Sequence, residues 1–270
     1  MCWSKYIDKL LFIISDLPLQ QGKKADWWYD DYIPNDVGYE LNLPVEKVKM
    51  TNEGGSIEVD GRGTLMAKRS SILNRNRNKG WTQQDAEAYF RRYLGATNFI
   101  WLDGTPGLDI TDDHIDGTAR FANGDTIVTH KRRDYQKPED YDALIRSKDA
   151  NGNAYNFVIL PMTEYEVPGA GHRGLYINYY VGNDVVIVPV SLCSMECWKY
   201  SRCMPTQNVF LLWCSPPSLP CHQSYDDPND AEAVRILKNL YPGKDMVSID
   251  FTELFIDGGV VHCVTMQQPV

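Results

Sequence analysis

Glu53-Gly54-Gly55-Ser56-Ile57-Glu58-Val59-Asp60-Gly61-Arg62-Gly63-Thr64-Leu65-Met66-Ala67 reads as two extended runs joined by a Gly-rich turn, the signature of a β-hairpin. The same grammar returns twice. His114 leads into Ile115-Asp116-Gly117-Thr118-Ala119-Arg120-Phe121, which turns at Asn123-Gly124-Asp125 and comes back as Thr126-Ile127-Val128-Thr129. Tyr176 leads into Ile177-Asn178-Tyr179-Tyr180-Val181, which turns at Gly182-Asn183-Asp184 and comes back as Val185-Val186-Ile187-Val188-Pro189. Glu53, His114 and Asn178 recur at intervals of 61 and 64 positions. A fourth segment, Asp257-Gly258-Gly259-Val260-Val261-His262-Cys263, reads as one more first strand near the end of the chain.

Helices follow two of the hairpins. Thr82-Gln83-Gln84-Asp85 opens Ala86 to Leu94: Thr82 is a cap, Asp85 suits the helix dipole and Gly95 is a stop. Asp227-Pro228-Asn229-Asp230 opens Ala231 to Leu240, with Pro228 read at the first helical position and Pro242-Gly243 beyond the end. Extended runs come next, Phe99-Ile100-Trp101-Leu102 and Met246-Val247-Ser248-Ile249, and Phe157-Val158-Ile159-Leu160 takes the matching place in the second unit. The repeat is therefore strand, turn, strand, helix, strand. Units of this kind set round an axis would gather the residues at the start of each hairpin at one end of it.

The chain has 270 residues, 43% hydrophobic and 23% charged, enough for a sizeable core in one or two domains. A net charge of −9 with a pI near 5.0 disfavours nucleic acid as a partner and suits a cationic substrate. Mean hydropathy is −0.39, and no apolar run approaches the roughly 20 residues of a spanning helix, so no membrane partner is expected. Leu10 to Ile14 is a poor secretory core and reads as a buried strand or misassigned coding sequence. Of seven Cys, five fall between Ser191 and His222 without the paired spacing of a zinc site. This favours a reducing, cytoplasmic setting, with secretion as the alternative if a further N-terminus exists. Residues 191–222 read as an atypical Cys-rich insertion, foreign to the repeat, in an otherwise single domain over 1–270.

Polar residues cluster at the hairpin starts. Glu53, His114, Asp116, Asn178 and Cys263 form the candidate constellation. By itself Cys263 reads as a small core residue; with partners it reads as a nucleophile. A Cys becomes reactive as the thiolate, which a nearby imidazolium or cationic substrate favours. A His can protonate a leaving group and then take a proton from water. Carboxylates match the donor fork of a guanidinium. Cys, His and two carboxylates together fit nucleophilic substitution at a guanidinium carbon. Asp112 and Asp113 read as loop solvation, with a contact of one of them to substrate left open, and the run Lys131-Arg132-Arg133 reads as solvated loop.

These segments resemble the agmatine deiminase and Porphyromonas-type peptidyl-arginine deiminase family. Glu53-Gly54-Gly55-Ser56-Ile57 is similar to its Glu-Gly-Gly motif, and Asp109-Ile110-Thr111-Asp112-Asp113-His114-Ile115-Asp116 to its His-x-Asp motif. Tyr176-Ile177-Asn178-Tyr179-Tyr180, Leu73-Asn74-Arg75-Asn76-Arg77-Asn78 and His262-Cys263-Val264-Thr265-Met266-Gln267-Gln268 also match in order. The resemblance covers roughly residues 30–270, apart from the Cys-rich window. It implies an α/β pentein fold, five ββαβ-type units round a pseudo-fivefold axis, and cofactor-free, metal-free hydrolysis of a guanidino group on agmatine or on peptidyl-arginine. Under it Cys263 attacks the guanidinium carbon, His114 moves the protons, Asp116 binds guanidinium nitrogens, Glu53 orients His114 or touches substrate, and Asn178 shapes the pocket.

The sequence departs from the family pattern in two places. No Trp-x-Arg-Asp-x-Gly-Pro segment precedes Glu53, so the fold is expected to lack its first blade, with open strand edges that invite a homo-oligomer. The Gly-Gly-Gly-Asn of the family becomes Asp257-Gly258-Gly259-Val260. Two other readings stay open: a catalytically inactive fragment derived from a deiminase, and a binding or metal protein built on the Cys-rich window.

Overall fold

The computed structural model describes residues 32–190 and 227–265, which fall into two compact units. The first comprises residues 32–160 with 262–265, and the second residues 161–190 with 227–261. The expectations placed on the N-terminal residues, on the Cys-rich window and on Gln267-Gln268 lie outside the described residues.

The first unit opens with helix α1 (Ile33–Glu40) and then repeats one motif twice. Strand β1 (Ile57–Val59) pairs antiparallel with β2 (Thr64–Lys68), Ile57 facing Ala67 and Val59 facing Leu65. The turn closes because the Asp60 carboxylate accepts the backbone N–H groups of Arg62 and Thr64 at 2.7 and 2.9 Å. Gly61 and Gly63 take φ of 69° and 104°, a region that excludes most side chains. After α2 (Arg69–Ile72) comes α3 (Gln83–Leu94). Thr82 and Asp85 form a reciprocal capping box, and Gly95 ends the helix in the left-handed conformation. Strand β3 (Asn98–Leu102) then returns parallel to β2.

The second motif places β4 (Ala119–Phe121) against β5 (Thr126–Thr129) and, after α4 (Pro138–Leu144), β6 (Asn156–Ile159) parallel to β5. Helix α4 supplies the element that the sequence left blank in this repeat; Pro138 starts it, with Glu139 and Asp140 in the first turn.

Strand β2 is buried along its whole length. Its alternation divides the core: Leu65 and Ala67 pack with Ile72, Ala86 and Phe90, while Met66 packs with Ile100, Leu102, Ile115 and Ile127. Full burial of Phe90 anchors α3 with about 2–3 kcal/mol of hydrophobic stabilisation.

The second unit carries the motif a third time: β7 (Tyr180–Val181) antiparallel to β8 (Val185–Val190), helix α5 (Asp230–Leu240), then β9 (Asp245–Asp250) parallel to β8. Helix α6 (Thr252–Ile256) follows. Asn229 occupies the N-cap position of α5, without a side-chain cap bond, so Pro228 lies in the preceding turn and not at the first helical position. Buried Tyr176 donates its hydroxyl to Asp230 at the head of that helix.

The strand starts need correction. Ile115 and Ile177 do not begin strands. Short 3₁₀ turns occupy Gly54–Ser56, Ile115–Gly117, Tyr176–Asn178 and His262–Val264. The segment at Cys263 is a turn as well, not a fourth strand: Thr265 folds back, its N–H and hydroxyl both bonding the His262 carbonyl at 3.2 and 3.1 Å. Every residue of the candidate constellation thus lies in, or immediately before, a tight turn.

Candidate active site

The first unit brings together Glu53, His114, Asp116 and Cys263. Glu53 precedes the turn Gly54–Ser56, which is closed by the Ser56 N–H and hydroxyl bonding the Glu53 carbonyl at 3.0 and 2.6 Å. This tight closure fixes the backbone on which the Glu53 side chain is mounted.

His114 ends a loop held by carboxylates. Asp109 accepts the N–H groups of Thr111 and Asp113 at 2.7 and 3.2 Å, and the Thr111 hydroxyl accepts that of His114 at 3.1 Å. Asp112 and Asp113 both adopt left-handed backbone, φ 61° and 70°. Such non-glycine residues cost on the order of 1 kcal/mol each and persist where the surroundings over-determine them. Here they do. Asp112 accepts the Gly107 N–H at 2.8 Å and pairs with Arg77 at 2.8 Å; Asp113 accepts the Thr105 N–H at 2.9 Å and pairs with buried Lys68. The solvated-loop reading of Asp112 and Asp113 is therefore wrong: they are 3% and 9% exposed, because each has a buried cation. Lys131, Arg132 and Arg133 are exposed as expected.

The Glu53 carboxylate meets His114 Nε2 at 2.5 Å and receives Arg77 Nε and Nη2 at 2.9 and 2.8 Å. Burial works to raise the Glu53 pKa, but the hydrogen bond and charge of His114 and the Arg77 guanidinium outweigh it, and the net shift is downward from 4.5. An ionised carboxylate only accepts, so the proton in this bond belongs to His114 Nε2. The other ring nitrogen, Nδ1, is left for chemistry.

Asp116 is buried in the next turn. Its Oδ2 meets His262 Nδ1 at 2.9 Å and lies 3.6 Å from the Cys263 thiol, which donates to it. Burial again opposes ionisation, but the His262 hydrogen bond and the neighbouring His114, His262 and Arg120 charges bring its pKa below 3.8. Cys263 is exposed, so an incoming molecule can reach it. Gly55 is the floor of this space. A Cβ there would stand 2.5 Å from Asp116 Oδ2 and 2.9 Å from His114 Nδ1. The Gly is thus required by close approach, and the same numbers put His114 Nδ1 and the Asp116 carboxylate side by side. Behind them Arg120 Nε donates to Glu58 at 2.7 Å, and Glu58 also accepts the Phe121 N–H at 3.1 Å.

Charge follows from these pairings. Among the described residues, Glu53, Glu58, Asp112, Asp113 and Asp116 pair with three permanent cations, Lys68, Arg77 and Arg120. Glu53 and Asp116 also face the imidazoles of His114 and His262.

Asn178 belongs to the second unit, buried in the turn Tyr176–Asn178. Arg77, His262, Glu58, Arg120 and Lys68 received no role from the sequence. Arg77 was visible only as one of two Arg in Leu73–Asn78; Arg75 is exposed and Arg77 buried. Among the described residues no group of His, Cys, Asp and Glu could hold a metal ion, and no helix is long and apolar enough to cross a membrane.

The sequence model of Porphyromonas-type peptidyl-arginine deiminase matches residues 19–210 and 221–269. The chain belongs to that family. A Streptomyces coelicolor protein provisionally named agmatine deiminase is 31% identical over 91% of this chain and 66% of its own length. Agmatine deiminase of Medicago truncatula is 28% identical over 93% of this chain and 66% of its own. The chain therefore spans just under two thirds of the length of these relatives. Among solved structures, agmatine deiminase of Enterococcus faecalis superposes with a TM-score of 0.76 over 96% of this chain and 69% of that one, at 21% identity. The α/β fold of repeated ββαβ units is the fold of this family member. All four residues of the cluster fall within the matched segments.

Proposed function

We propose that this deiminase-family chain hydrolyses a guanidino group to a ureido group and ammonia, with Cys263 as nucleophile. The observation that carries this reading is the exposed Cys263 thiol 3.6 Å from an ionised, buried Asp116, beside a His114 already held by Glu53.

A substrate guanidinium takes the buried carboxylate of Asp116 as its partner through charge-assisted hydrogen bonds. Displacing the thiol from Asp116 frees its proton for His114 Nδ1, and the adjacent cation favours the thiolate. The sulfur then forms a bond to the guanidinium carbon. The C–N bond breaks as His114 returns the proton to the departing nitrogen, which leaves as ammonia. This yields a thiouronium joined to Cys263. Water gives one proton to His114 and its oxygen bonds the same carbon; the C–S bond breaks, the ureido oxygen sheds its remaining proton to solvent, and His114 returns its proton to the Cys263 sulfur. Glu53 keeps His114 in one orientation throughout. No residue in this sequence of steps calls for a cofactor. The substrate is a free guanidine such as agmatine or an arginine in a peptide.

The test is ureido-product formation on agmatine and on an arginine-containing peptide, with Cys263→Ala as the blank. Product on either substrate that vanishes in the variant is expected, and names the substrate class. Folded protein that turns over neither overturns the reading and leaves the inactive fragment.

A further inference from the structure

The reaction above gives Arg77 nothing to do, yet it is the most enclosed cation of the cluster. Its side chain is 1% exposed, against 3% for Lys68 and 7% for Arg120. One planar fork reaches acceptors on two separate segments. Nε and Nη2 bond Glu53 Oε2 at 2.9 and 2.8 Å; Nη1 bonds Asp112 Oδ2 at 2.8 Å; Nη2 also bonds the Thr111 carbonyl at 2.9 Å. Glu53 is one end of the 2.5 Å bond to His114, and Thr111-Asp112 is the backbone that delivers the other end.

We propose that Arg77 is the positioning residue of the Glu53–His114 pair, clamping the carboxylate and the histidine loop to one another. Its own backbone is fixed for the task. The Arg77 N–H bonds the Asn74 carbonyl at 3.0 Å, and the next residue, Asn78, is locked by bonds to the Thr51 and Ile72 carbonyls, each at 2.8 Å. The guanidinium matters by shape as well as charge. A lysine is a point donor on a flexible stem and cannot serve Glu53, Asp112 and Thr111 together. The groups facing Glu53 are His114 and Arg77, and Asp112 faces Arg77 from the far side. Losing the clamp lets Glu53 move off His114 Nε2, which sets both the tautomer and the direction of Nδ1. The consequence for turnover rests on the deiminase reading; the consequence for Glu53 does not.

Two variants and two readouts test this. Arg77→Lys keeps the charge, and Arg77→Gln removes it. Glu53 titration is followed by carboxyl NMR with selective labelling, assigned through Glu53→Gln, and kcat and KM are measured on whichever guanidinium substrate the wild type turns over. Arg77→Lys is expected to lose about 10–100-fold in kcat with KM within about twofold, the signature of misplaced chemistry. Arg77→Gln is expected to move the Glu53 midpoint upward; if it does not fold, the midpoint is read in Arg77→Lys. Arg132→Gln, which removes an exposed fork on Asp142, changes neither readout. A folded Arg77→Lys protein with wild-type kcat, or an unmoved Glu53 midpoint, overturns the proposal. If the wild type turns over no guanidinium substrate, the deiminase reading fails and the Glu53 midpoint alone decides the role of Arg77.

Discussion

Gly55 lies so close under Asp116 that a Cβ on it would stand 2.5 Å from the carboxylate oxygen. The same methyl would stand 2.9 Å from His114 Nδ1. Asp116 cannot recede, because His262 holds its Oδ2 at 2.9 Å in a buried setting. Gly55 has an ordinary backbone φ, so an alanine there is a purely steric insult. Gly55→Ala should therefore cost about 1–3 kcal/mol of stability, as overpacking does. It should also lower turnover by at least about tenfold by splitting His114 from Asp116. Gly80→Ala is the comparison: φ is +83° and nothing lies within 4 Å. It should lose about 1–2 kcal/mol to backbone strain and leave turnover intact. Urea unfolding and ureido formation measure both. Wild-type turnover in Gly55→Ala would remove the steric argument.

What could be read in the sequence was local. The cap at Thr82, the stop at Gly95 and the turn at Asp60 are settled by residues close in sequence, and all three stand; Asp85, read only as suiting the dipole, also closes a capping box with Thr82. The strand starts misled because Ile115-Asp116-Gly117 and Tyr176-Ile177-Asn178 mix apolar and polar residues as a strand edge does, yet close as 3₁₀ turns. Helix α4 was missed because seven residues cannot display a helical period. The candidate-site residues Glu53, His114, Asp116 and Cys263, which the fold brings together, were legible as motifs. The burial of Asp112 and Asp113 was not, since their partners Arg77 and Lys68 lie 35 and 45 positions away. His262 was hidden for the same reason: its carboxylate partner is 146 positions upstream.

Asp116 offers a direct reading of substrate recognition. Asn is nearly isosteric and keeps an oxygen for His262, but it removes the negative charge that a guanidinium would meet. Hydrogen bonds to charged groups contribute about 1.5–3 kcal/mol, so Asp116→Asn should raise KM by roughly 10–100-fold. A kcat loss should accompany it, since the thiol loses the neighbour whose occupation by substrate releases it. Steady-state kinetics on the substrate found for the wild type checks this. Unchanged KM would mean that the guanidinium is held by other groups.

The two depressed carboxylates also predict how the fold responds to acid. Glu53 titrates below 4.5 and Asp116 below 3.8 in the folded chain, because His114 with Arg77, and His262 with His114, favour their ionised forms. On unfolding these partners are lost and both return to ordinary values, so the unfolded state binds more protons throughout that window. Stability must then rise with pH across it. The contribution of the pair is complete above the ordinary carboxylate range and is lost as pH falls through the folded values. Protonating Glu53 also leaves the guanidinium of Arg77, 1% exposed, without half of its counter-charge, which steepens the loss. Urea midpoints taken from about pH 6 down to about pH 3 should fall, with a smaller slope in the Glu53→Gln, Asp116→Asn double variant. The slope is the quantity to read, since the double variant is less stable at every pH. Equal slopes in the two proteins would show that neither carboxylate is depressed in the folded state.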